Sequence, residues 1–259
     1  MAKIHPTAII SSNVFIDDDE TTEIGPYAII EGNAIIHKGC KIGPYVHIQG
    51  YTEIGTDCRI FTGAIIGSIP QDLKYKGGKT YLKIGERNII REFVTINTGT
   101  SEGESTIIGN NNLIMAYVHI AHNCVIGNNV IIANGGTLAG HVLVDDFAII
   151  GGLVGVHQFC RVGRYSIIGG CSKITKDIVP FVIADGHPAV PYGVNKIGLK
   201  RRNFPPEKIG NIEEIYRILF RSGLNVSEAL TQLEKMDRTE EVACIINFIK
   251  NSSRGIAKS

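Results

Sequence analysis

An aliphatic residue recurs at every sixth position of this chain from Ile24 to Ile174. Of the 26 positions in that register, all but three are Ile, Leu or Val. A period of six matches neither the 3.6-residue turn of an α-helix nor the alternation of an ordinary strand. It is typical of a parallel β-helix, in which three short strands complete each 18-residue coil. The pattern predicts a triangular prism whose coils stack about 4.8 Å apart, the spacing of hydrogen-bonded strands.

Two other positions of the repeat favour small residues. The residue two before each aliphatic position is mostly small or branched, and we expect it to point into a tight corner of the core. The residue after the aliphatic position is often glycine, which predicts a sharp bend with positive φ. Cysteines in the small register are expected to be reduced core residues rather than disulfides or metal ligands. These cysteines are Cys40, Cys58, Cys124 and Cys160.

The three exceptions to the aliphatic register are Asp72, Gly78 and Glu102, and they lie in two polar, glycine-rich segments. One segment separates Ile66 from Ile84, and the other separates Ile96 from Ile108. Each gap is a multiple of six residues, so the repeat resumes in phase after it. The segments are therefore predicted to be loops that leave one face of the prism, often the binding face.

Both ends of the chain depart from the main repeat. Ile4, Ile10 and Ile16 keep the six-residue period in a shifted phase and predict an atypical first coil. Beyond residue 190 the apolar residues follow helical spacing instead. We therefore expect a β-helix over residues 1–190 and a small α-helical domain over residues 191–259, placed to cap the open end of the prism.

The chain carries almost balanced charge. Its 259 residues include 26 Lys and Arg against 25 Asp and Glu, a net charge of +1, so no strong field favours nucleic acid or a membrane surface. No apolar run approaches the roughly 18 residues of a spanning helix, and the N-terminus lacks a signal peptide's apolar segment. We expect a cytoplasmic protein without stable membrane insertion. Residues 196–221 are locally basic, which indicates either a solvated face or recognition of phosphate or an acidic partner.

Histidines are concentrated in one part of the repeat. The 18-residue offset places His122, Gly140 and Gln158 in one column, outside the inward registers. A neutral imidazole can act as general base toward an alcohol, and the Gly140 amide could stabilise an oxyanion. Without a nucleophile elbow or reactive cysteine motif, direct transfer is favoured over a covalent intermediate. A three-histidine zinc site is the competing chemistry. Four of the eight histidines cluster here, namely His119, His122, His141 and His157.

A closed prism offers little concavity, and a ligand site needs a cleft that buries most of the ligand. The natural cleft is the space between two prisms packed side by side. The repeat therefore favours a symmetric oligomer, with a three-fold ring as the expected arrangement.

Several motifs of the chain resemble those of the UDP-N-acetylglucosamine O-acyltransferase family, and they run nearly from end to end. The repeat alone indicates only a broad superfamily, whereas the loop motif, the histidine series and the helical tail together are specific. The matching segments are Gln71–Tyr75, His119–His122, Leu138–Val142, Val144–Gly152, Val156–Cys160, Gly193–Asn195, Gly198–Arg202 and Ser253–Gly255.

The resemblance implies a homotrimer of left-handed parallel β-helices, each mainly β with a small C-terminal α-helical domain. It implies transfer of an (R)-3-hydroxyacyl chain from acyl carrier protein to the 3-hydroxyl of UDP-N-acetylglucosamine, the first step of lipid A biosynthesis. No metal and no cofactor are expected, since the donor substrate is the carrier protein with its phosphopantetheine. The basic C-terminal surface suits that acidic carrier.

The resemblance also implies roles for individual residues. His122 stands at the catalytic base, and Gly140 stands at the position whose amide meets the oxyanion. Gly170 falls where the family limits acyl length, and its missing side chain should leave the groove open to a longer chain. Substrate contacts are expected in the sugar-nucleotide loop, along the cleft, and near the nucleotide and its phosphates. The residues are Gln71, Asp72, Lys74, Asn97, His119, His141, His157, Gln158, Asn195 and Arg201.

Three positions depart from the family pattern. Asn123 follows the base where many members have Asp, so either another carboxylate assists the imidazole or the pair is dispensable. Asn97 replaces a His of some members, and Ile197 replaces a Glu associated with uridine contacts.

Other activities remain as alternatives. They are the related N-acyltransferase, which normally carries an extra N-terminal domain, a sugar acetyltransferase that uses acetyl-CoA, a γ-type carbonic anhydrase and a non-catalytic scaffold. A 3-amino sugar is an alternative acceptor.

Overall fold

The computed structural model describes residues 1–258 as 28 short strands followed by four helices. Most strands have two residues, because the chain turns a corner after every six. In chain order the strands are β1 Lys3–Ile4, β2 Ile9–Ile10, β3 Phe15–Ile16, β4 Glu23–Ile24, β5 Ile29–Ile30, β6 Ile35–Ile36, β7 Lys41–Ile42, β8 His47–Ile48, β9 Tyr51–Ile54, β10 Arg59–Ile60, β11 Ile65–Ser68, β12 Tyr81–Ile84, β13 Ile89–Ile90, β14 Thr95–Asn97, β15 Ser105–Ile108, β16 Leu113–Ile114, β17 His119–Ile120, β18 Val125–Ile126, β19 Ile131–Ile132, β20 Thr137–Leu138, β21 Leu143–Val144, β22 Ile149–Ile150, β23 Gly155–Val156, β24 Arg161–Val162, β25 Ile167–Ile168, β26 Lys173–Ile174, β27 Val182–Gly186 and β28 Ala189–Val194.

Each coil contributes one strand to each of three sheets. The first sheet contains every third strand from β1 to β25 and continues into β27 and β28; the second runs from β2 to β26, and the third from β3 to β24. Within residues 1–258 every pairing is parallel except that of β27 with β28. The chain thus forms a left-handed parallel β-helix, and the fold predicted from the six-residue period is confirmed.

Strand pairing follows the 18-residue coil, and its register is unchanged across the two loops. Ile48 pairs with Ile66 and Ile120 pairs with Leu138, each 18 residues apart. Across the first loop Ile54 pairs with Ile84, 30 residues later, and across the second Ile84 pairs with Ile108, 24 residues later. Because the extra lengths are 12 and six residues, each insertion leaves the inward register unchanged.

The aliphatic register fills the core. Ile30, Ile48, Ile66 and Ile120 are completely buried, as are the small residues that alternate with them. Burying an isoleucine side chain stabilises the fold by about 1.5–3 kcal/mol. The predicted core positions of the small-register cysteines are confirmed, since all four are completely buried, namely Cys40, Cys58, Cys124 and Cys160.

Most glycines after the aliphatic positions serve a different purpose from the one predicted. Gly25 and Gly151 do not have positive φ; instead, a Cβ on Gly151 would lie 2.7 Å from the backbone nitrogen of Gly170 on the next coil. The left-handed conformation occurs two residues later, for example at Tyr27 with φ 57°. The prediction of positive φ was therefore wrong at Gly25 and Gly151, whereas it is confirmed at Gly67, with φ 83°. Glycine is needed there because successive coils approach too closely for a side chain.

The first coil keeps the shifted phase that the sequence indicates. Ile4 pairs with Ile24 and Ile10 with Ile30, an offset of 20 residues rather than 18. Two additional residues in the acidic turn after β3 account for the difference. The first coil is consequently less covered, and Ile4 is 47% exposed.

Four helices follow the β-helix. α1 is capped by Asn195, α3 begins with a capping box between Asn225 and Glu228, and α4 is capped by Thr239. α2 packs against β28, and Ile256 bridges to Asp177, so the tail returns to the last coil. Residue 259, the last of the expected helical domain, lies outside the described residues. The helices are α1 Lys196–Arg201, α2 Pro206–Phe220, α3 Val226–Leu233 and α4 Glu240–Lys250.

No helix within residues 1–258 is both long enough and apolar enough to cross a lipid bilayer.

Candidate active site

The turns between the second and third sheets stack at one corner of the β-helix, which we call the loop corner. Both segments that interrupt the repeat leave the β-helix there: residues 69–80 between β11 and β12, and residues 98–104 between β14 and β15. The next three turns at this corner are residues 121–124, 139–142 and 157–160. The loops and the histidine-rich turns therefore share one edge of the prism.

His122 is largely enclosed at the loop corner but is still reached by solvent. Its side chain is 13% exposed, and its Nε2 lies 3.8 Å from Asp72 Oδ2 of the first loop. The other ring nitrogen, Nδ1, lies 2.9 Å from Asn123 Oδ1. When Nδ1 carries the proton and donates it to Asn123, Nε2 is left with a free lone pair directed toward the first loop.

Gly140 lies directly beside the His122 ring, on the next coil. A Cβ built on Gly140 would lie 2.3 Å from His122 Cε1 and 2.5 Å from Nε2, far inside van der Waals contact. Among the hydrogen bonds of residues 1–258, the Gly140 N–H has no acceptor. The predicted column is thus present in the structure, and it leaves a free amide donor next to the imidazole.

Two neighbouring histidines are held in the neutral form. Burial, followed by the nearby charge of His122, lowers the pKa of both His119 and His141. His119 Nδ1 lies 2.7 Å from Thr95 Oγ1, and the His141 ring stacks on Phe159 with centroids 4.6 Å apart. These side chains form a neutral wall around His122 near pH 7.

The remaining loop-corner residues named in the sequence are exposed. Gln71 and Lys74 are exposed at the tip of the first loop, where the Lys74 N–H donates to Asp72 Oδ1 at 2.9 Å. His157 and Gln158 are also exposed, two coils beyond His122. Their side chains are accessible to a ligand that lies along the corner.

Asn97 occupies a buried position beneath the first loop. It is 1% exposed, and its Nδ2 donates to Ser68 Oγ at 2.8 Å and to the Ile69 carbonyl at 3.1 Å. Its Oδ1 has no partner within residues 1–258. The structure makes Asn97 an anchor for the start of the loop that carries Asp72.

Asn195, Arg201 and Gly170 lie away from the loop corner of their own chain. Asn195 is 4% exposed and caps α1, with Nδ2 donating to the Tyr165 carbonyl at the corner between the third and first sheets. Arg201 is exposed at the end of α1. Gly170 is exposed at the third corner, before β26. One chain does not bring these residues to His122.

Sequence reasoning missed two residues of the second loop. Glu104 accepts a hydrogen bond from Asn123 Nδ2 at 2.8 Å, and the Thr100 N–H donates to Asn123 Oδ1 at 3.2 Å. The sequence offered one indication of a role for Glu104: it lies at the end of the second in-phase gap, two residues before the small-register residue Thr106. No pattern within the sequence connected it to Asn123.

A pocket of about 530 Å³ opens beside the site. It lies between His141, Phe159 and Arg161 of the β-helix and Asn251 and Ser253 of the C-terminal segment. The helical tail thus reaches the side of the loop corner, which the sequence did not indicate.

The described part of a single chain forms no three-ligand metal arrangement. Within residues 1–258, no group of three or more His, Cys, Asp or Glu side chains is placed to hold a metal ion. The three-histidine geometry that would indicate a zinc enzyme is not formed by these residues.

Family models match both parts of the chain. Residues 177–257 match the model described as UDP-N-acetylglucosamine O-acyltransferase, domain 2. Residues 33–68 and 105–140 match the model of the bacterial transferase hexapeptide with six repeats.

Full-length relatives are named for one activity. The acyl-[acyl-carrier-protein]–UDP-N-acetylglucosamine O-acyltransferase of Paraburkholderia phymatum is 47% identical, and that of Thiobacillus denitrificans is 45% identical, with complete coverage of both chains in each case. Among solved structures, the Francisella novicida UDP-N-acetylglucosamine acyltransferase has a TM-score of 0.95 at 40% identity, covering 99% of this chain and 94% of that one. The Bacteroides fragilis enzyme has a TM-score of 0.94 at 46% identity, covering 97% and 98%.

Proposed function

This chain belongs to the UDP-N-acetylglucosamine O-acyltransferase family, and we propose that it transfers an (R)-3-hydroxyacyl chain from acyl carrier protein to the 3-hydroxyl of UDP-N-acetylglucosamine. The chain is an acyltransferase, since full-length relatives at 45–47% identity carry that activity in their names. The proposed reaction is the first step of lipid A biosynthesis. What supports it is the match of the repeat and of the C-terminal part to two family models, together with the full-length match to the relatives.

We propose that His122 is the general base of a direct transfer. Its Nε2 takes the proton of the sugar 3-hydroxyl as that oxygen attacks the thioester carbonyl. The Gly140 N–H then stabilises the oxyanion, and the C–S bond breaks as the thiolate of phosphopantetheine leaves. The imidazolium returns the proton to that thiolate, so the carrier departs with a free thiol. The observation that carries this mechanism is the contact between the His122 ring and Gly140.

Asp72 is suited to two parts of this reaction. Its carboxylate lies 3.8 Å from His122 Nε2, so it favours the imidazolium that forms during attack. It also lies in a loop whose neighbours Gln71 and Lys74 are exposed, which suits contact with the sugar nucleotide. The exposed His157 and Gln158 continue the same edge toward the C-terminal coils.

We propose that the working site lies between two copies in a homotrimer. Asn195 and Arg201 are expected near the nucleotide, yet they lie at a different corner from His122 in one chain. A neighbouring prism can supply that corner, because flat prism faces pack side by side. The cleft between them also provides the concavity that one prism lacks.

The test is product analysis by mass spectrometry with purified protein. UDP-N-acetylglucosamine is supplied with a series of 3-hydroxyacyl carrier proteins, and a 3-O-acyl product is expected. UDP-glucosamine derivatives, a 3-amino sugar nucleotide and acetyl-CoA serve as competing substrates. Preferential acylation of an alternative sugar nucleotide, or preferential transfer of acetyl from acetyl-CoA, would replace the proposed reaction.

His122→Ala is expected to lower turnover by about 10²- to 10⁴-fold, the typical contribution of a general base. His5→Ala changes an exposed histidine of the first coil and serves as the matched control. Circular dichroism and sedimentation should be the same for both variants. Near-normal turnover of His122→Ala would rule out this residue as the base.

A further inference from the structure

The departure at Asn123 is accompanied by a carboxylate from the second loop. Asn123 Oδ1 faces His122 Nδ1 at 2.9 Å, and Asn123 Nδ2 faces Glu104 Oε2 at 2.8 Å. The amide therefore stands between the imidazole and a carboxylate that is 18 positions earlier in the chain than His122. Neither the family pattern nor the reaction proposed above assigns a role to Glu104.

Two unambiguous partners determine which way the Asn123 amide points. The Thr100 backbone N–H can only donate, and it lies 3.2 Å from Oδ1; the Glu104 carboxylate, when ionised, can only accept, and it lies 2.8 Å from Nδ2. The flipped amide would place donor against donor at Thr100 and acceptor against acceptor at Glu104. The position of Oδ1 facing His122 is thus imposed by the second loop.

The amide orientation in turn selects one tautomer of His122. An oxygen at 2.9 Å from Nδ1 requires a proton on Nδ1, so that Nδ1–H donates and Nε2 keeps its lone pair. The opposite tautomer would place two lone pairs against each other at this distance. A base that accepts a proton through Nε2 needs the tautomer that the amide selects.

Glu104 is held in its charged form. Hydrogen bonds from Asn123 Nδ2 and then from the Ser101 backbone N–H lower the pKa of the Glu104 carboxyl. The Thr100 hydroxyl also contacts Oε2, at 3.1 Å. Because three groups converge on one oxygen, the carboxylate is fixed in place rather than free in solvent.

We propose that Glu104 is a positioning residue that acts through Asn123: it holds the amide with its oxygen toward His122, and its charge stabilises the imidazolium through the polarised amide. In this chain Asn and Glu together replace the carboxylate that many family members place next to the base. The inference rests on the proposed function, in which His122 is the base.

Four ionisable side chains surround His122 and bear on its protonation. Asp72 faces Nε2 from the first loop, and His119 and His141 flank the ring as groups held neutral by burial. Glu104 acts on the Nδ1 side. The two carboxylates therefore lie on opposite sides of the imidazole, and substitutions at Glu104 leave the contact with Asp72 in place.

The test uses the full-length protein and separates charge from geometry. Glu104→Gln can keep an acceptor for Asn123, Ser101 and Thr100 while removing the charge, whereas Glu104→Ala removes both. Glu102→Gln is the matched control, because Glu102 is in the same loop but accepts from the Lys79 N–H and does not contact Asn123. Steady-state kcat and KM are measured with 3-hydroxyacyl carrier protein across the pH range 5 to 9.

We expect kcat to fall about 10-fold for Glu104→Gln, because its hydrogen bonds no longer have a charged acceptor, and further for Glu104→Ala, which loses the hydrogen bonds as well, with KM nearly unchanged in both. The acid limb of the kcat profile should move to lower pH in Glu104→Gln, because removal of a negative charge makes the imidazole harder to protonate. Glu102→Gln should match the parent chain. A residue that merely supported the loop would change KM and leave the acid limb in place.

A substitution at Asn123, alone and combined with one at Glu104, tests the same role in a second way. Asn123→Asp alone places a second carboxylate against Glu104 and should lower kcat. The double variant Glu104→Gln, Asn123→Asp restores one carboxylate next to His122 and should exceed both single variants. If His122→Ala is inactive but the Glu104 variants keep the parent kcat and acid limb, the role of Glu104 is refuted and the proposed function stands. If His122→Ala keeps its turnover, the proposed base itself is wrong.

Discussion

At the level of single residues, the geometry of the candidate site depends on the absence of a Cβ atom at position 140. Gly140 has no Cβ, and the His122 ring occupies the space where one would be, 2.3 Å from the ideal Cβ position. Only a glycine lets the backbone amide come this close to the imidazole. In the proposed mechanism, glycine at this position therefore has a chemical reason, in addition to the close stacking that explains many other glycines of the repeat.

Gly140→Ala is expected to displace the His122 ring and lower kcat by about 10²-fold, since a misplacement of about 1 Å can cost that much. Gly210→Ala is the control, because a Cβ at Gly210 in α2 meets no atom within 4 Å. Turnover and thermal unfolding are measured for both variants. Full activity of Gly140→Ala would show that the ring position is unimportant for transfer.

Buried histidines at the site make folding stability depend on pH. The pKa of His119 is lowered by burial and then by the charge of His122, so the unfolded chain binds a proton more readily than the folded one. The resulting stability is present above the unfolded pKa of about 6.5 and is lost as pH falls below it. His37 contributes with the opposite sign, because hydrogen bonds to Glu53 and Asp17 outweigh burial and raise its pKa.

His119→Gln should therefore lose less stability than the parent chain between pH 7 and pH 5. The measurement is Tm as a function of pH, with His5→Gln as the control for an exposed histidine. Comparison between variants removes the opposing contribution of His37, which is the same in all of them. Parallel Tm curves for His119→Gln and the parent chain would contradict this assignment.

At the level of secondary-structure elements, distances along the β-helix can be counted in coils. Gly170 precedes β26, which lies three coils beyond β17 and His122 in the second sheet. At about 4.8 Å per coil this separation is about 14 Å along the prism. Within residues 1–258, a Cβ on Gly170 would meet only backbone atoms of Gly152, its carbonyl oxygen at 3.4 Å and its nitrogen at 4.0 Å, so a larger side chain can be accommodated and would project outward.

Gly170→Met is expected to shift the preferred donor to a shorter hydroxyacyl chain while leaving turnover of that shorter donor nearly unchanged. The added side chain would block the far end of the proposed acyl groove without reaching His122. Competition between donors of different length, read by mass spectrometry, measures the change. Gly210→Met on α2 is the control, and an unchanged preference in Gly170→Met would place the acyl chain elsewhere.

The elements also show what periodicity can predict. Strand positions and inward residues followed from the six-residue period, because only one register buries the aliphatic side chains. The positive-φ positions did not follow: within residues 1–258 they include Tyr27, Asn123 and His141, whereas most glycines directly after an aliphatic position have negative φ. A glycine in a repeat has two possible causes, backbone conformation and close approach of a neighbour. Only the position of the next coil distinguishes them.

At the scale of the whole molecule, the chain separates groups that the proposed reaction needs together. His122 is at the loop corner, whereas Asn195 caps α1 near Tyr165 at another corner. A rigid β-helix does not fold back to join two of its own corners. Association of copies is the direct way for these groups to meet, and the three sides of the prism suit a three-fold ring.

Sedimentation equilibrium is expected to give about three times the mass of one chain.

Arg201→Ala is expected to weaken binding of the sugar nucleotide. Mixed trimers reassembled from Arg201→Ala and His122→Ala chains should regain part of the activity, because some interfaces then hold an intact Arg201 and an intact His122. A mixture no more active than its components would place both residues of a site on the same chain.

The β-helix, its coil length, its core residues and the histidine column can be derived from the sequence alone, because each depends on a period repeated many times along the chain. The family follows instead from the loop motif, the histidine series and the helical tail. How the in-phase loops meet that column depends on the three-dimensional structure. It placed Asn97 beneath the first loop, Asn195 in a helix cap and Glu104 behind Asn123. Such contacts depend on how irregular loops fold back between coils, and a single aperiodic residue carries no signal of its partner. The repeat determines the frame, and the loop conformations determine which side chains reach the imidazole.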